Sequence, residues 1–288
     1  MTPLPVRDGL GPARLRLQGG NVLAEFTRRF GADSAVKVLA GEVVDAHGDP
    51  IDADTAMPPG AHVYLYRDLP DEVPVPFDVP VIFRDENIVV VDKPHFLATM
   101  PRGRHVAQTA LVRLRRDLGL PELSPAHRLD RLTGGVLLLT VRREVRGAYQ
   151  TLFARGQVDK TYLARSAARP GLAERRVVSS RIVKQRGVLQ ARIEPGEPNA
   201  HTVVEPLGRC LYRLTPQTGR THQLRVQMAA IGLPIDNDPL YPRVRDVDPD
   251  DFSAPLRLVA HRLEFDDPVA GVRRCFESAR GCESTREV

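Results

Sequence analysis

The chain has 288 residues, 42% of them hydrophobic and 27% charged, which is ordinary for a globular protein that buries a sizeable core. No apolar run is long enough to span a bilayer, and the first residues lack the apolar core of a signal peptide. We therefore expect a cytoplasmic protein with no membrane partner. The cysteines, Cys210, Cys275 and Cys282, are odd in number and widely spaced, which argues against a disulfide framework and a structural zinc site.

The formal net charge of +5 is unevenly distributed along the chain. Residues 1–70 contain seven Lys and Arg against nine Asp and Glu, so the basic excess lies in the remainder. A basic body is typical of proteins that bind nucleic acid, although many basic proteins bind none. Charge alone therefore leaves the partner open.

Residues 1–70 are predicted to form a small N-terminal module. The pattern indicates two short helices, at residues 22–30 and 35–39, and a strand at residues 63–66. Prolines with acidic residues between them then predict a semi-rigid linker over residues 71–80. These prolines are Pro70, Pro74, Pro76 and Pro80.

Residues 81–278 are predicted to form the main domain, followed by a polar, frayed tail over residues 279–288. The domain opens with a strand, a turn and a second strand that ends at Lys93, which either faces RNA or lies at a solvated strand end. Residues 106–118 have one apolar stripe and are predicted to be helical. Arginines in and before this helix either grip phosphates or form a solvated face. They are Arg102, Arg104, Arg113, Arg115 and Arg116.

An acidic residue lies within a basic segment in the middle of the chain. His127, Arg128 and Arg131 place three cationic or titratable groups around the carboxylate of Asp130. The apolar run at residues 136–139 then predicts a buried strand. A carboxylate at the mouth of such a strand is typical of a functional site, but an Arg–Asp pair that closes a turn has the same pattern.

Two later segments also contain residues that can carry chemistry. Lys160 and Tyr162 enter a predicted strand, where a tyrosine is more often part of the core than part of a site. In residues 218–235 an apolar stripe predicts a helix that a glycine and a proline end. Arg225 lies beside this stripe, and a guanidinium drawn inward needs an acid partner.

These segments resemble the RluA family of pseudouridine synthases. His127-Arg128-Leu129-Asp130, with the threonine and glycine that follow, is similar to the family's His-Arg-Leu-Asp-x-x-Thr-Ser-Gly motif. Lys-x-Tyr at residues 160–162 is similar to the second motif. Thr-Gly-Arg-Thr-His-Gln-Leu-Arg-Val at residues 218–226 matches the third almost completely. The departures are Gly134 in place of Ser, His95 and Phe96 in place of a small residue and Gly, and Asn237 in place of Gly before Asp238.

The resemblance, together with the hairpin-like strand pairs, predicts an α+β fold. This is a pseudouridine-synthase-like mixed, mainly antiparallel sheet with flanking helices. A small module that loosely resembles the S-four-type RNA-binding domain is expected to precede it, and this module either binds RNA or is purely structural.

The resemblance also implies an RNA pseudouridine synthase that flips a uridine out of structured RNA, either rRNA or tRNA, and isomerises it. Asp130 is then the catalytic nucleophile or base, Tyr162 contacts the target base, and Arg225 is the partner of Asp130. Arg128 fills the gap left by the flipped base. No metal or other cofactor is implied, and we expect a monomer. The implied RNA-binding residues are Arg128, Arg131, Lys160, Arg220, His222, Arg102 and Arg104.

Two other classes of protein are weighed against this interpretation. A non-catalytic RNA-binding or RNA-folding protein on the same architecture would have lost Asp130, Tyr162 or Arg225, and all three are present. A glycosidase-like hydrolase usually has two acids near one bond, and the motifs contain no second acid.

Overall fold

The computed structural model of the protein describes residues 3–69, 71–168 and 171–282. The chain divides into two units, Met1–Asp71 with Arg115–Pro121, and Glu72–Leu114 with Glu122–Val288. Two predicted features lie partly outside the described residues: Pro70 of the linker and residues 283–288 of the tail. Within the described residues, no helix is both long and apolar enough to cross a membrane.

The first unit is a small layer of helices and short strands. Its elements are β1 Ala13–Arg16, β2 Gly20–Asn21, α1 Val22–Phe30, α2 Ala32–Leu39, β3 Ala56–Met57 and β4 His62–Leu65. Strand β1 pairs antiparallel with β4, and β2 with β3. The side chain of Asn21 caps α1 by accepting the backbone N–H of Ala24 at 2.8 Å. Both predicted helices and the predicted strand of this module are confirmed.

The remaining elements follow in chain order. They are β5 Val81–Arg84, β6 Ile88–Lys93, α3 Ala110–Asp117, β7 Ser124–Pro125, β8 Gly134–Thr140, α4 Arg146–Ala154, β9 Val158–Arg165, β10 Arg176–Val183, β11 Arg192–Glu194, β12 Ala200–Gly208, β13 Leu211–Pro216, α5 Gln223–Ala230, β14 Leu258–Asp266 and β15 Arg273–Glu277.

One 11-stranded sheet dominates the second unit. Its order is β11-β10-β12-β13-β9-β14-β8-β6-β5, with β15 on β14 and β7 on β8. Among the residues that the structure describes, its strand pairings are antiparallel except that between β8 and β14, so the predicted mixed, mainly antiparallel sheet with flanking helices is confirmed. Strands β6 and β8 are buried along their whole length, which explains their continuous apolar runs.

Two hydrophobic clusters hold helices against this sheet. Tyr149 of α4 packs with Leu138 of β8 and Phe265 of β14. Leu224 and Met228 of α5 belong to a second cluster under β9, β12 and β13. Helix α5 therefore presents its apolar stripe to the sheet, as the sequence predicted, and its first turn lies at the edge of the cluster.

The predicted linker is held by hydrogen bonds within the second unit. The carboxylate of Glu72 accepts the backbone N–H groups of Val106, Ala107 and Gln108 at 2.7 to 3.0 Å. Arg113 donates to the carbonyl oxygen of Val75 at 2.7 Å and also to that of Phe77. Residues 72–77 are thus fixed along the start of α3, and Arg113 makes internal contacts rather than presenting a solvated face.

The tail prediction was wrong at its beginning. Ser278 and Cys282 are buried, and Arg280 forms an ion pair with Asp92 at 3.1 Å. Ser278 also donates to the Asp92 carboxylate at 2.8 Å. Residues 278–282 therefore pack against β6 because a buried carboxylate requires these partners.

Gly135 allows the parallel contact between β8 and β14. Its φ is +113°, and a Cβ built on it would lie 2.2 Å from the carbonyl oxygen of Ala260. The preceding residue must also be a glycine, but for a different reason: a Cβ on Gly134 would lie 2.8 Å from Nε2 of His95. The departures from the family pattern at positions 134 and 95 therefore compensate each other, because the imidazole occupies the space that a side chain at 134 would need.

We predict that Gly135→Ala lowers the free energy of unfolding by about 3 kcal/mol, since the new methyl group meets backbone atoms and the φ is unfavourable. Gly147→Ala is the matched control, because Gly147 lies in α4 and a Cβ built there meets no atom within 4 Å. It should stabilise the protein by up to about 1 kcal/mol. Urea denaturation of both variants measures the difference, and equal midpoints would contradict the close approach of β8 and β14.

Candidate active site

Hydrogen bonds on both sides fix the segment that contains Asp130. The hydroxyl of Thr99 donates to the carbonyl oxygen of Leu129 at 2.8 Å and accepts its N–H at 3.1 Å. Nε2 of His127 accepts the N–H of Leu138 at 3.1 Å. Burial, together with the charge of Lys160, lowers the pKa of His127 to about 3, which keeps this imidazole neutral and able to accept. The Asp130 carboxylate thus projects from a rigid loop.

A buried lysine lies beneath this loop, contrary to both interpretations of Lys93 from the sequence. Its ammonium donates to the carbonyl oxygens of Pro94 at 2.9 Å, Leu97 at 2.7 Å and Arg131 at 3.4 Å. Burial lowers the pKa of Lys93 to about 7, although the charge of Asp130 opposes the shift. Lys93 therefore joins β6 to the loop after Asp130 and does not face solvent or RNA.

Arg225 connects Asp130 to a second acid. Its guanidinium binds Asp238 in two places, with Nε to Oδ2 at 2.7 Å and Nη2 to Oδ1 at 2.6 Å. Its Nη1 lies 3.6 Å from Oδ2 of Asp130. The sequence predicted an acid partner and the resemblance assigned Asp130, but the nearer partner is Asp238. The sequence contained a signal for this pair, because Asp238 lies only a few residues after α5 in the chain.

The two carboxylates keep this buried guanidinium charged. Burial alone would lower the pKa of Arg225, but the hydrogen bonds to Asp238 and the charges of Asp238 and Asp130 outweigh it and raise the pKa. Asp238 is fully used, because it also accepts the N–H groups of Leu240 and Tyr241 at 2.8 and 3.2 Å. Asp130 is the carboxylate of the pair that remains accessible, with 26% of its side chain exposed against none for Asp238.

A cleft of about 690 Å³ surrounds Asp130, a volume within the range of small-molecule sites. The structure brings Tyr162 and Arg225 together with Asp130 in its wall. Burial and the charge of Asp130 raise the pKa of Tyr162, so its phenol stays protonated. Four of the predicted RNA-binding residues also line the cleft: Arg128, Lys160, Arg220 and His222.

The other three predicted RNA-binding residues lie outside this cleft. Arg131 donates to the carbonyl oxygen of Pro249 at 3.2 Å, and Arg104 pairs with Asp250 at 2.8 Å. Arg102 lies in a short backbone bridge with His105. Arg104 and Arg131 therefore use their side chains in internal contacts.

A group of basic residues beside the cleft was missed by the sequence analysis. We call residues 175–192, which form β10, the turn after it and the start of β11, the basic hairpin. Its basic residues are Arg175, Arg176, Arg181, Lys184, Arg186 and Arg192. All six are exposed, the segment contains no acid, and none of the six is in an ion pair within the described chain.

Contacts with the cleft wall place the basic hairpin next to the site. Its backbone at Ala191 binds the hydroxyl of Tyr241, which in turn contacts His222. Arg220 donates to the carbonyl oxygen of Asn199 at 3.2 Å, and Asn199 accepts the N–H of Ile182 in β10. The available signal was a stretch, residues 175–192, that contains six basic residues and no acid.

Comparison with known proteins identifies the family. The model of the RNA pseudouridylate synthase family matches residues 87–230, and the chain belongs to this family. Among its relatives, the dual-specificity RNA pseudouridine synthase RluA of Salmonella typhi is 33% identical over 207 residues, covering 68% of this chain and 91% of RluA. The resemblance to the RluA family is therefore confirmed.

Other relatives are longer than this chain. Human pseudouridylate synthase RPUSD2 is 34% identical to this chain over an alignment that covers 57% of this chain. The same alignment covers only 31% of the human protein. Among solved structures, human RNA pseudouridylate synthase domain containing 1 matches with a TM-score of 0.55 and 25% identity. That match covers 70% of this chain and 84% of the human chain.

We predict that Asp238→Asn lowers the free energy of unfolding by about 3 kcal/mol, because it leaves a buried guanidinium with a single, more distant carboxylate. Glu205→Gln is the matched control, since it breaks an exposed ion pair with Arg213 and should cost less than about 1 kcal/mol. Chemical denaturation followed by circular dichroism measures both. Similar losses in the two variants would contradict the structural importance of the Arg225–Asp238 pair.

Proposed function

We propose that this protein is an RNA pseudouridine synthase that isomerises uridine to pseudouridine in rRNA or tRNA. The observation that carries the proposal is the convergence of Asp130, Tyr162 and Arg225 in one cleft bordered by basic residues. Membership of the family supports the same conclusion.

The chemistry suits a single accessible carboxylate. The bond from the sugar to nitrogen 1 of uracil breaks, a bond from the sugar to carbon 5 forms, and the hydrogen on carbon 5 is lost while nitrogen 1 gains one. The product is an isomer, so no oxidant or group donor is required. Asp130 acts on the sugar as nucleophile or as base. The Nη1 of Arg225 lies 3.6 Å from Oδ2 of this carboxylate and places a positive charge beside it.

Tyr162 is suited to holding the target base rather than to transferring a proton. Its raised pKa keeps it protonated, so it is a poor base at neutral pH. An aromatic ring beside the carboxylate offers a stacking surface worth about 1–3 kcal/mol per base. The target uridine has to leave its stack to reach the cleft, and Arg128 in the cleft wall then occupies the vacated place.

Basic residues on the two sides of the cleft are suited to the RNA backbone. Arg220 and Lys160 lie in its wall, and the basic hairpin extends the positive surface beyond it. The names of two relatives support an RNA substrate: RluA is named a dual-specificity RNA pseudouridine synthase, and a yeast relative is named a mitochondrial tRNA pseudouridine(32) synthase. The cytoplasmic compartment and the monomeric state stay predictions.

We propose that residues 1–70 form a small S-four-like module and that the catalytic domain contains the predicted residues 81–278. Residues 72–77 and 279–282 belong with the catalytic domain as well, because their contacts lie within it. The module has an excess of acidic residues, so we assign it a secondary role in RNA affinity.

The two rival classes are less consistent with the site. A hydrolase with two acids would need a second accessible carboxylate, but Asp238 has no exposed side-chain area and is committed to Arg225. A non-catalytic RNA-binding protein would have no reason to keep an accessible carboxylate in the centre of a basic cleft, where it repels phosphate. The activity assay decides between this class and the proposed enzyme.

Asp130→Asn tests the proposal because it keeps the size of the side chain and removes its charge. An amide is neither an effective nucleophile nor a base, so pseudouridine formation should fall to background. RNA binding should persist, since one negative charge is removed and the basic surface is intact. The measurement is the pseudouridine content of rRNA and tRNA after incubation with wild type or variant.

Glu205→Gln serves as the acid-to-amide control for this assay, because Glu205 pairs with Arg213 on β12 and β13 outside the cleft. Circular dichroism melting confirms that the variants are folded. Conversion at a wild-type rate by folded Asp130→Asn would refute the role of Asp130. A wild type that binds RNA but converts no uridine would favour the non-catalytic alternative.

The basic hairpin provides a separate prediction. Arg181→Gln combined with Arg186→Gln should flatten the slope of log affinity against log salt by roughly one unit for each lost phosphate contact. The charge-matched control is Arg262→Gln with Arg273→Gln, where the arginines pair with Glu264 and Asp159. The control should change the slope less, and identical slopes in both double variants would show that the hairpin does not contact phosphates.

A further inference from the structure

His222 has an unusual backbone conformation at the start of α5. Its φ and ψ are 58° and 18°, in the left-handed region that residues with a Cβ rarely adopt. Its ring nonetheless has two defined neighbours, Tyr241 on one side and Asp130 on the other. Such conformations persist where the surrounding structure determines them, and they are concentrated at functional sites.

The contacts of Tyr241 fix the proton on His222. The Tyr241 hydroxyl accepts the N–H of Ala191 at 2.7 Å and donates its single hydrogen to the carbonyl oxygen of Ala191 at 2.9 Å. It can therefore only accept from Nδ1 of His222, which lies 3.1 Å away. Nδ1 carries the hydrogen, and in the neutral imidazole Nε2 carries a lone pair.

That lone pair faces the carboxylate proposed for catalysis. Nε2 lies 3.9 Å from Oδ2 of Asp130, which is too far for a hydrogen bond. When His222 is neutral, Nε2 and Oδ2 are both hydrogen-bond acceptors, so neither atom donates a hydrogen bond to the other. If Nε2 gains a proton, the imidazolium and the carboxylate form an ion pair at this distance, and the free charge of Asp130 is reduced.

We propose that His222 is a positioning residue for the reaction at Asp130, and that turnover requires its neutral, Nδ1-protonated form. The inference rests on the proposed function. Neutral His222 leaves Oδ2 of Asp130 free to act on the sugar and places an acceptor beside it. Protonated His222 forms an ion pair with Asp130, which makes the carboxylate less available to react with the sugar.

The charged groups around His222 determine when it is neutral. Burial lowers its pKa below the ordinary value of 6.5, the charges of Asp130 and Asp238 oppose this shift, and those of Arg225 and Lys184 reinforce it. His222 is consequently neutral at pH 7, and it becomes protonated only at a pH below the ordinary pKa of histidine. Activity should therefore decline on the acid side and be constant near neutrality.

The first test is the pH dependence of kcat at saturating RNA, for wild type, His222→Asn and His47→Asn. Asparagine tolerates the left-handed conformation, so the backbone should be retained. His47 is exposed and lies far along the chain in the first unit, which makes it the matched control. Below the pKa of His222, kcat of wild type and control should fall about tenfold per pH unit, with KM little changed.

In His222→Asn the decline should begin at a lower pH, because the competing imidazolium is absent. An acid limb identical to that of wild type would overturn the proposal. A purely structural role for His222 would lower kcat at every pH and leave the shape of the profile unchanged, which would also overturn it.

The second test needs neither RNA nor activity. Nitrogen-15 spectra of histidine-labelled, RNA-free protein report which ring nitrogen of His222 is protonated, and His222→Asn assigns its signals. We expect the Nδ1–H form at pH 7 and a further lowering of the pKa in Asp130→Asn, which removes a charge that favours the imidazolium. The Nε2–H form, or a pKa insensitive to Asp130→Asn, would overturn the inference even if the enzyme is active. An inactive wild type with the expected spectra would instead count against the proposed function.

Discussion

The guanidinium of Arg225 lies between two carboxylates, and the rest of the cleft depends on that arrangement. A buried guanidinium is costly without charged partners, and Asp238 supplies two short hydrogen bonds from the segment just after α5. The remaining nitrogen, Nη1, points to Asp130 at 3.6 Å. Asp238 therefore neutralises and orients Arg225. Asp130 lies close to the positive charge of Arg225. This division leaves Asp238 buried in its pair with Arg225 and Asp130 accessible from the cleft.

The sheet holds the two sides of this arrangement at a fixed separation. The Asp130 loop leads into β8, which pairs parallel with β14, and Gly135 permits that contact. Two side chains hold this loop from beneath. Lys93 donates to the carbonyl oxygen of Arg131 at 3.4 Å, and Nδ1 of His95 donates to that of Leu132 at 2.7 Å. The hydrophobic packing of α5 fixes Arg225 from the other side.

Local patterns in the sequence predicted those features that depend on near neighbours. The apolar run of β8, the stripe of α5 and an inward Arg225 with an acid partner were predictable, because periodicity and charge decide them. The burial of Lys93, the fit of His95 against Gly134 and the choice of Asp238 over Asp130 were not. Each depends on tertiary contacts: carbonyl oxygens that converge on one ammonium, or a ring that fills the space beside a glycine. The basic hairpin was overlooked because its charges are spread over residues 175–192 and come together only when β10 and β11 pair.

The most direct test of the central claim uses the hydrogen that the reaction must release. RNA whose uridines carry tritium on carbon 5 is isolated from cells that lack this protein and is incubated with the purified enzyme. If Asp130 catalyses the shift of the glycosidic bond, wild type releases one tritium to solvent for each pseudouridine formed, and folded Asp130→Asn releases none above background. Release by the variant at the wild-type rate, or no release by a wild type that binds the RNA, would contradict the account.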